Sequence, residues 1–353
     1  MENITQNPAG PAVPEGRRKV LRPEHVLQWH ITHKCNLRCK HCYQDEYASG
    51  MSREELFAVL DKYERFLQQK ALHGHINLTG GEPLVSPYFF ELAEEIVRRG
   101  MTFAVLTNGT LIDEQTAVRL ALLHPRFVQI SLDGDPDVHD AIRGAGASAG
   151  AYRGIDLLKA YGVHVLVSFT AQRTNRFQLD NVARICKRHN VDKLWWDRVI
   201  IPKEEDTDRL MLTPRQFRVL VWKSGRLTKK TRREDGTSLC TSVRGLQFLY
   251  CPDTLTYHCS AGRDLLIIKA DGDMMPCRRL PDIIGNVKDG ELADIIDASP
   301  VMKALREAPI PAECTGCAHA EKCRGGSKCV SRAKTGNSFA KDPDCWIKGG
   351  GKK

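Results

Sequence analysis

The chain reads as an α/β protein: an open, TIM-like partial barrel of six strand–helix units, (β/α)6, followed by a small cysteine-rich domain. Two observations carry this. Strand-like and helix-like segments alternate from residue 26 to about 230, and strict alternation implies a parallel sheet with right-handed crossovers. Beyond that point helical periodicity fades while cysteines and glycines multiply. A short segment of that composition folds around metal or other staples rather than around a core of its own. Six units are too few to close an eight-stranded barrel, which leaves one side open for a large substrate.

The elements follow in order. "VLQWHIT" (26–32) has the β-branched and aromatic content of a strand, and "REELFAVLDKYERFLQQ" (53–69) has apolar residues at helical spacing. Strands "HINLTGG", "TFAVLTNG", "FVQISLDG", "VHVLVSFTAQ" and "KLWWDRVII" then alternate with helices "PYFFELAEEIVRRG", "DEQTAVRLALL", "AYRGIDLLKAYG" and "DNVARICKRH". A last helix, "TPRQFRVLVWKSGRL", opens on Thr213-Pro214, an N-cap followed by proline at the first helical position. The expected organisation is a polar tail (1–25), the barrel (26–230), a linker (231–250), the cysteine-rich domain (251–348) and a short tail (349–353). Polar and glycine punctuation falls at strand C-terminal ends: 32–42, Gly80-Gly81-Glu82, Thr107-Asn108-Gly109 and Ser131-Leu132-Asp133-Gly134. Sites of parallel α/β folds form at that edge, so these loops are expected to surround one pocket.

Composition narrows the function. Of the 353 residues, 42% are hydrophobic and 27% charged, as in a folded globular protein. No apolar run is long enough to span a membrane, and the N-terminal stretch has no signal-peptide core. A cytoplasmic location is therefore expected. In that reducing compartment, thirteen cysteines point to metal or redox chemistry rather than disulfides. The net charge of +9 suits an acidic substrate or electron donor. The basic run Lys229-Lys230-Thr231-Arg232-Arg233 has no interleaved aromatics, so no nucleic-acid partner is expected.

"CNLRCKHC" places Cys35, Cys39 and Cys42 at C-x3-C-x2-C spacing, one thiolate short of a complete four-iron set. Three ligands leave one iron open to a further ligand, by the logic of a catalytic zinc with a free position. A zinc site borrowing His33 or His41 is the plainer alternative. Eight more cysteines lie from Cys251 onward, and only Cys186 and Cys240 fall between the groups. Cys186, inside a helix, reads as a buried small apolar side chain.

With "TGGEP", "TNGT" and "ISLDG" downstream, the cysteine loop resembles that of the radical S-adenosylmethionine (SAM) enzymes, over roughly residues 26–215. The resemblance implies that Cys35, Cys39 and Cys42 hold a 4Fe–4S cluster whose open iron binds SAM. Reductive cleavage of SAM then yields a 5′-deoxyadenosyl radical that takes hydrogen from a substrate. It places His41 near the adenine and Gly80, Gly81 and Glu82 at the methionine amino group. Ser131 falls at the ribose or carboxylate and Arg143 at the SAM carboxylate, with Asn108 and Asp133 facing the pocket or capping their turns.

The spacing Cys259-x12-Gly272-x4-Cys277, Cys314-x2-Cys317-x5-Cys323, Cys329, Cys345 resembles the SPASM extension of that family, which carries two auxiliary 4Fe–4S clusters. The family topology assigns Cys259, Cys277 and Cys329 to the first, with Cys251 as fourth ligand and Cys240 as alternate. Cys314, Cys317, Cys323 and Cys345 would hold the second. The family spaces x3 before the cysteine matching Cys329; here Ser327 fills that slot and x5 replaces x3.

SPASM members mostly modify ribosomally made peptides or proteins by crosslinking or oxidation, with flavodoxin or ferredoxin as reductant. A peptide substrate is therefore the leading expectation, by way of a separate leader-binding protein or by direct docking. Tetrapyrrole side-chain chemistry, anaerobic sulfatase maturation and a non-catalytic iron–sulfur carrier are the alternatives. The sulfatase-maturing branch carries an aspartate base just after the cysteine matching Cys277. Arg278 stands there instead, cannot accept a proton, and is expected to orient an acidic substrate.

Overall fold

The computed structural model describes residues 23–44, 47, 50–200, 209–234, 236–241, 245–250 and 259–347. Six parallel strands form the body: β1 (Glu24–His30), β2 (His73–Thr79), β3 (Thr102–Thr107), β4 (Val128–Ser131), β5 (Val165–Ala171) and β6 (Lys193–Arg198). They lie side by side in chain order, β6-β5-β4-β3-β2-β1. The crossovers are α1 (Arg53–Gln69), α2 (Phe89–Arg98), α3 (Glu114–Leu123), α4 (Pro136–Arg143), α5 (Ala147–Ala160) and α6 (Leu179–Arg188). The expected last helix is α7 (Pro214–Lys230), with Thr213 and Gln216 completing a capping box.

Two features depart from the sequence reading. Two helices, α4 and α5, stand between β4 and β5 where one was expected. The first begins at Asp135, whose carboxylate accepts from Val138 N, with Pro136 in the first turn. Its eight residues are too few for periodicity to announce them. The second departure lies beyond residue 260. There β7 (Leu265–Ile268) pairs parallel with β1, and β8 (Asp273–Met275) and β9 (Gly285–Asn286) continue antiparallel, so one nine-stranded sheet runs β6-β5-β4-β3-β2-β1-β7-β8-β9. Leu266, Ile268, Met274, Val287 and Leu292 join the same core as Leu27, Trp29 and Leu78. The cysteine-rich part thus shares the barrel's core.

The stretch expected as a linker is also pinned. Leu194 N donates to Leu239 O and Thr241 N to Leu194 O, which lays residues 239–241 along the outer edge of β6. Gly245–Tyr250 forms a 3-10 turn that packs on α7. Alternation along the strands sorts the faces. Leu27 and Trp29 of β1, Val128 and Ile130 of β4 and Leu194 and Trp196 of β6 are core. Gln28, Gln129, Ser131, Trp195 and Asp197 therefore share the opposite, concave face, where Trp195 Nε1 donates to Gln129 Oε1 at 2.8 Å.

Candidate iron–sulfur and SAM site

The loop after β1 is locked to the end of β2 by its backbone. Ile31 N donates to Thr79 O, Gly81 N to Thr32 O and Glu82 N to Lys34 O. A Cβ on Gly80 would lie 2.5 Å from Thr32 O, and one on Gly81 2.4 Å from Lys34 O. Only glycine allows this approach. From α4, Ile142 O accepts from Lys40 N at 2.9 Å, so the cysteine loop is seated between β2 and α4. The three sulfurs receive donors: Leu37 N to Cys35 Sγ at 3.4 Å, Gln44 N to Cys42 Sγ at 3.4 Å, and Arg143 Nη1 to Cys39 Sγ at 3.9 Å. Burial pushes the Cys35 thiol up to about 11. Burial also raises Cys39, against the opposing pull of Arg143. Metal binding would displace those protons.

Several expected contacts fall differently. Glu82 is fully buried, and its carboxylate turns inward to accept from Thr107 Oγ1 (2.6 Å), Asn108 N (2.8 Å) and Leu84 N (3.2 Å). It braces β2 against β3 rather than presenting a free carboxylate to an ammonium group. Burial raises it to about 7 despite those donors. Asn108 gives its Nδ2 to Asn36 Oδ1 at 2.9 Å and takes Thr110 N on its own Oδ1. It therefore both caps its turn and ties that turn to the cysteine loop.

Arg143 is committed through Nε to Asp133 at 2.6 Å, with both residues at least nine-tenths buried. A bidentate grip on a SAM carboxylate by that edge is thus already taken. Asp133 also accepts from Thr170 N and faces His41 Nε2 at 3.7 Å. Burial works to raise Asp133, but Arg143 and His41 outweigh it and hold it low. Burial lowers His41 to about 4, and its Nδ1 has no partner. Ser131 ends β4, half-buried, on the concave face. His33 faces Asp271 at 3.8 Å, so each histidine of the zinc alternative has a carboxylate neighbour. Asn36, Thr107 and Tyr43 were not foreseen. Only their loop positions hinted at them.

The later cysteines gather in two places. Cys259, Cys277 and Cys329 share a small cluster with Ala261, Leu280, Leu305 and Val330. Burial, with Cys329 and Cys259 adding to it, raises Cys277 to about 12, and Arg279 N donates to its sulfur at 3.4 Å. The altered spacing does not remove Cys329 from this group. Ser327, in the family's slot, lies 3.8 Å from its sulfur. Cys240 lies instead in the main core, its sulfur 3.9 Å from Ser224 Oγ and near Cys186. Cys251 falls outside the described residues. Cys314, Cys317, Cys323 and Cys345 line a shallow, open pocket together with Phe248 and His319.

The end of β6 joins both places. Asp197 takes Arg279 Nη1, while Arg279 Nη2 donates to Arg198 O at 2.8 Å. Arg198 donates to Asp342 Oδ1 (3.0 Å) and Oδ2 (2.8 Å) and to Asp344 (2.7 Å), all three being essentially inaccessible to solvent. Asp342 in turn accepts from Ser327 N, and its carbonyl from Cys345 N. Arg278 lies 4.5 Å above the ring of Tyr43, the residue after Cys42, and donates to Tyr43 O at 3.3 Å.

Three thiols with N–H donors beside a side-chain-free Gly-Gly edge fit a cluster that leaves an iron open to SAM. The two later groups fit further iron–sulfur ligation. Comparison with known proteins agrees. Residues 29–172 match the radical SAM superfamily and 259–318 an iron–sulfur cluster-binding domain. The mycofactocin maturase MftC of Mycobacterium ulcerans is 30% identical over 90% of this chain and 87% of its own. The pre-heme d1 synthase of Dinoroseobacter shibae is 26% identical over 92% of this chain and 87% of its own. The solved structure of anSMEcpe with bound AdoMet superposes with a TM-score of 0.75 at 20% identity, covering 92% of this chain and 94% of that one. The chain belongs to the radical SAM enzymes that carry a C-terminal SPASM iron–sulfur domain.

Proposed function

We propose that this enzyme uses SAM-derived radical chemistry to modify a ribosomally made peptide or protein, by crosslinking or oxidation. The observation that carries the reading is the cysteine loop held against Gly80-Gly81, with Arg278, beside Cys277, packed on Tyr43 at the end of that loop. Cys35, Cys39 and Cys42 would hold a 4Fe–4S cluster that, with SAM, supplies a hydrogen-abstracting radical. Cys259, Cys277 and Cys329, with Cys251, would hold a first auxiliary cluster. Cys314, Cys317, Cys323 and Cys345 would hold a second. Arg143 and the backbone N–H groups offset thiolate charge, and Asp133 keeps Arg143 in place. The maturase relative at 30% identity supports a peptide substrate. Arg278 argues against formylglycine formation, since a guanidinium cannot take up a proton.

The pre-heme d1 synthase relative keeps tetrapyrrole side-chain chemistry as a second reading. A low-potential flavodoxin or ferredoxin as reductant, and a separate leader-binding protein, complete the proposal. Protein purified without oxygen should contain about twelve iron and twelve sulfide per chain. Once reduced, it should convert SAM to 5′-deoxyadenosine, and Cys39→Ala should not. Retained cleavage in Cys39→Ala overturns the site. Mass change in a peptide substrate, as opposed to a carboxylated porphyrin, decides between the two readings.

A further inference from the structure

Lys229 and Lys230 of the basic run end α7, whose 17 residues include no aspartate or glutamate. Phe217, Leu220, Val221, Ser224 and Gly225 form its buried face, toward α6 and the 3-10 turn. Helical spacing places Arg215, Arg218, Val219, Trp222, Arg226, Lys229 and Lys230 in one stripe on the opposite face, and every one of them is exposed. Val219 is 46% and Trp222 44% accessible, in the middle of the stripe, and Arg226 lies over the Trp222 ring at 4.8 Å. Lys223, at the stripe's edge, is 3.6 Å from Asp180 and 5.6 Å from the ring of Phe177, itself 64% exposed. Among the described residues, no carboxylate pairs with the cations of the stripe itself. The helix starts at the substrate rim. Arg173, just past β5, donates from N to Leu210 O at 2.9 Å and from Nε to Met211 O at 2.7 Å, and Lys334 of the cysteine-rich part reaches Leu212 O at 2.8 Å. Thr213-Pro214 therefore open α7 at the strand C-terminal edge, the edge that also carries the cysteine loop.

We propose that this face of α7 is a docking strip for an acidic segment of the substrate peptide, whose carboxylates pair with the arginines and lysines of the stripe while an apolar side chain between them packs on Val219 and Trp222. This rests on the peptide reading above. From Arg215 to Lys230 the helix rises about 22 Å and shows a face about 10 Å wide. A stable contact between folded proteins needs about 800 Å² from each partner, so the strip is sized for a single peptide segment. Two apolar side chains are too few for a helix that lies in a lipid interface, and one exposed tryptophan gives no run of stacking platforms for nucleic acid. Exposed ion pairs are individually weak, and a row of them on one helix supplies the hold. A segment seated along α7 leaves its rim end beside the site.

The probe is a library of acetylated, amidated random peptides about fifteen residues long, equilibrated with cluster-bearing enzyme and SAM. Wild type should retain sequences enriched in Asp and Glu around an apolar residue, and one of these is labelled and titrated. Arg218→Glu/Arg226→Glu should weaken its binding about tenfold, 1.4 kcal/mol, and flatten its salt dependence. Trp222→Ser should weaken it about threefold, equally at low and high salt. Lys288→Glu/Lys303→Glu, the same charge change at exposed positions of the cysteine-rich part, should leave it unchanged. All these variants should keep wild-type iron content and wild-type SAM cleavage without peptide. Peptide binding that Arg218→Glu/Arg226→Glu leaves unchanged, or that both charge pairs weaken equally, overturns the strip and spares the peptide reading. Anionic lipid vesicles or duplex DNA that lose binding to Arg218→Glu/Arg226→Glu, with peptide affinity intact, assign the stripe to those surfaces and also overturn it. Peptide affinity that appears only once Glu204→Gln, Glu205→Gln and Asp206→Asn are combined assigns the stripe to the chain's own acidic run and overturns it as well. Retention of a carboxylated porphyrin but no peptide overturns reading and strip together.

Discussion

Replacing Arg198 by methionine tests whether β6 holds the two later cysteine groups in place. Arg198 is 3% exposed, and Asp342 and Asp344 are 0%. Removing one partner of a buried ion pair costs about 3–5 kcal/mol, because a charge is left uncompensated. Asp344 keeps Lys334 at 2.6 Å, which softens its loss. Asp342 loses two donors and keeps only the backbone N–H groups of Ser327 and Asp344. The lower figure, about 3 kcal/mol, is therefore expected, with a fall of about 5 °C or more in thermal midpoint. Asp342 anchors the residues just before Cys329 and Cys345, so auxiliary iron should fall with stability while the SAM-site cluster stays. Iron and sulfide analysis with EPR of the reduced protein reads the first effect, and calorimetry the second. Arg198→Met/Asp342→Asn should recover part of the stability by removing the stranded charge. Full iron with an unchanged midpoint in Arg198→Met would refute the reasoning.

Three further outcomes are expected. Gly81→Ala forces a methyl to within 2.4 Å of a backbone oxygen, so its loop must shift; SAM cleavage should drop at least tenfold, and wild-type turnover would remove the close-approach role. Cys317→Ala should lose about four iron per chain yet still cleave SAM without coupling it to product; full iron content would count against its ligand role. Stability to urea should rise from pH 4 to about 6.5. His25 and His139, lowered by burial to about 4, and His30, lowered to about 3, bind protons more readily when unfolded. Stability is thus lost as pH falls below the unfolded value, by at most about 2 kcal/mol per histidine between pH 6.5 and 5. Glu82, raised to about 7, acts oppositely between pH 4.5 and 7. A profile falling steadily from pH 4 to 6.5 would show that the histidines are not the dominant groups.

Alternation of β-branched runs and amphipathic helices was enough to place six parallel strands in order, because each crossover depends on local pattern and a fixed handedness. The cysteine spacings and Gly80-Gly81 were legible for a similar reason: backbone approach and ligand counting leave short, local marks. Partner choice among charged side chains left none. Nothing in "TGGEP" tells that Glu82 faces Thr107, or in "WWDR" that Arg198 reaches Asp342 and Asp344. Those contacts join residues 25 and about 145 positions apart and exist only once the sheet has formed. The addition of β7 to β1 was hidden likewise. "LLII" reads as a short apolar run, and which edge it covers depends on the one left unpaired by β1. Chain-local chemistry therefore determined the family. Tertiary packing decided which charges are buried together, since desolvation makes an unpaired charge costly wherever it lies and the fold alone brings its partner within reach.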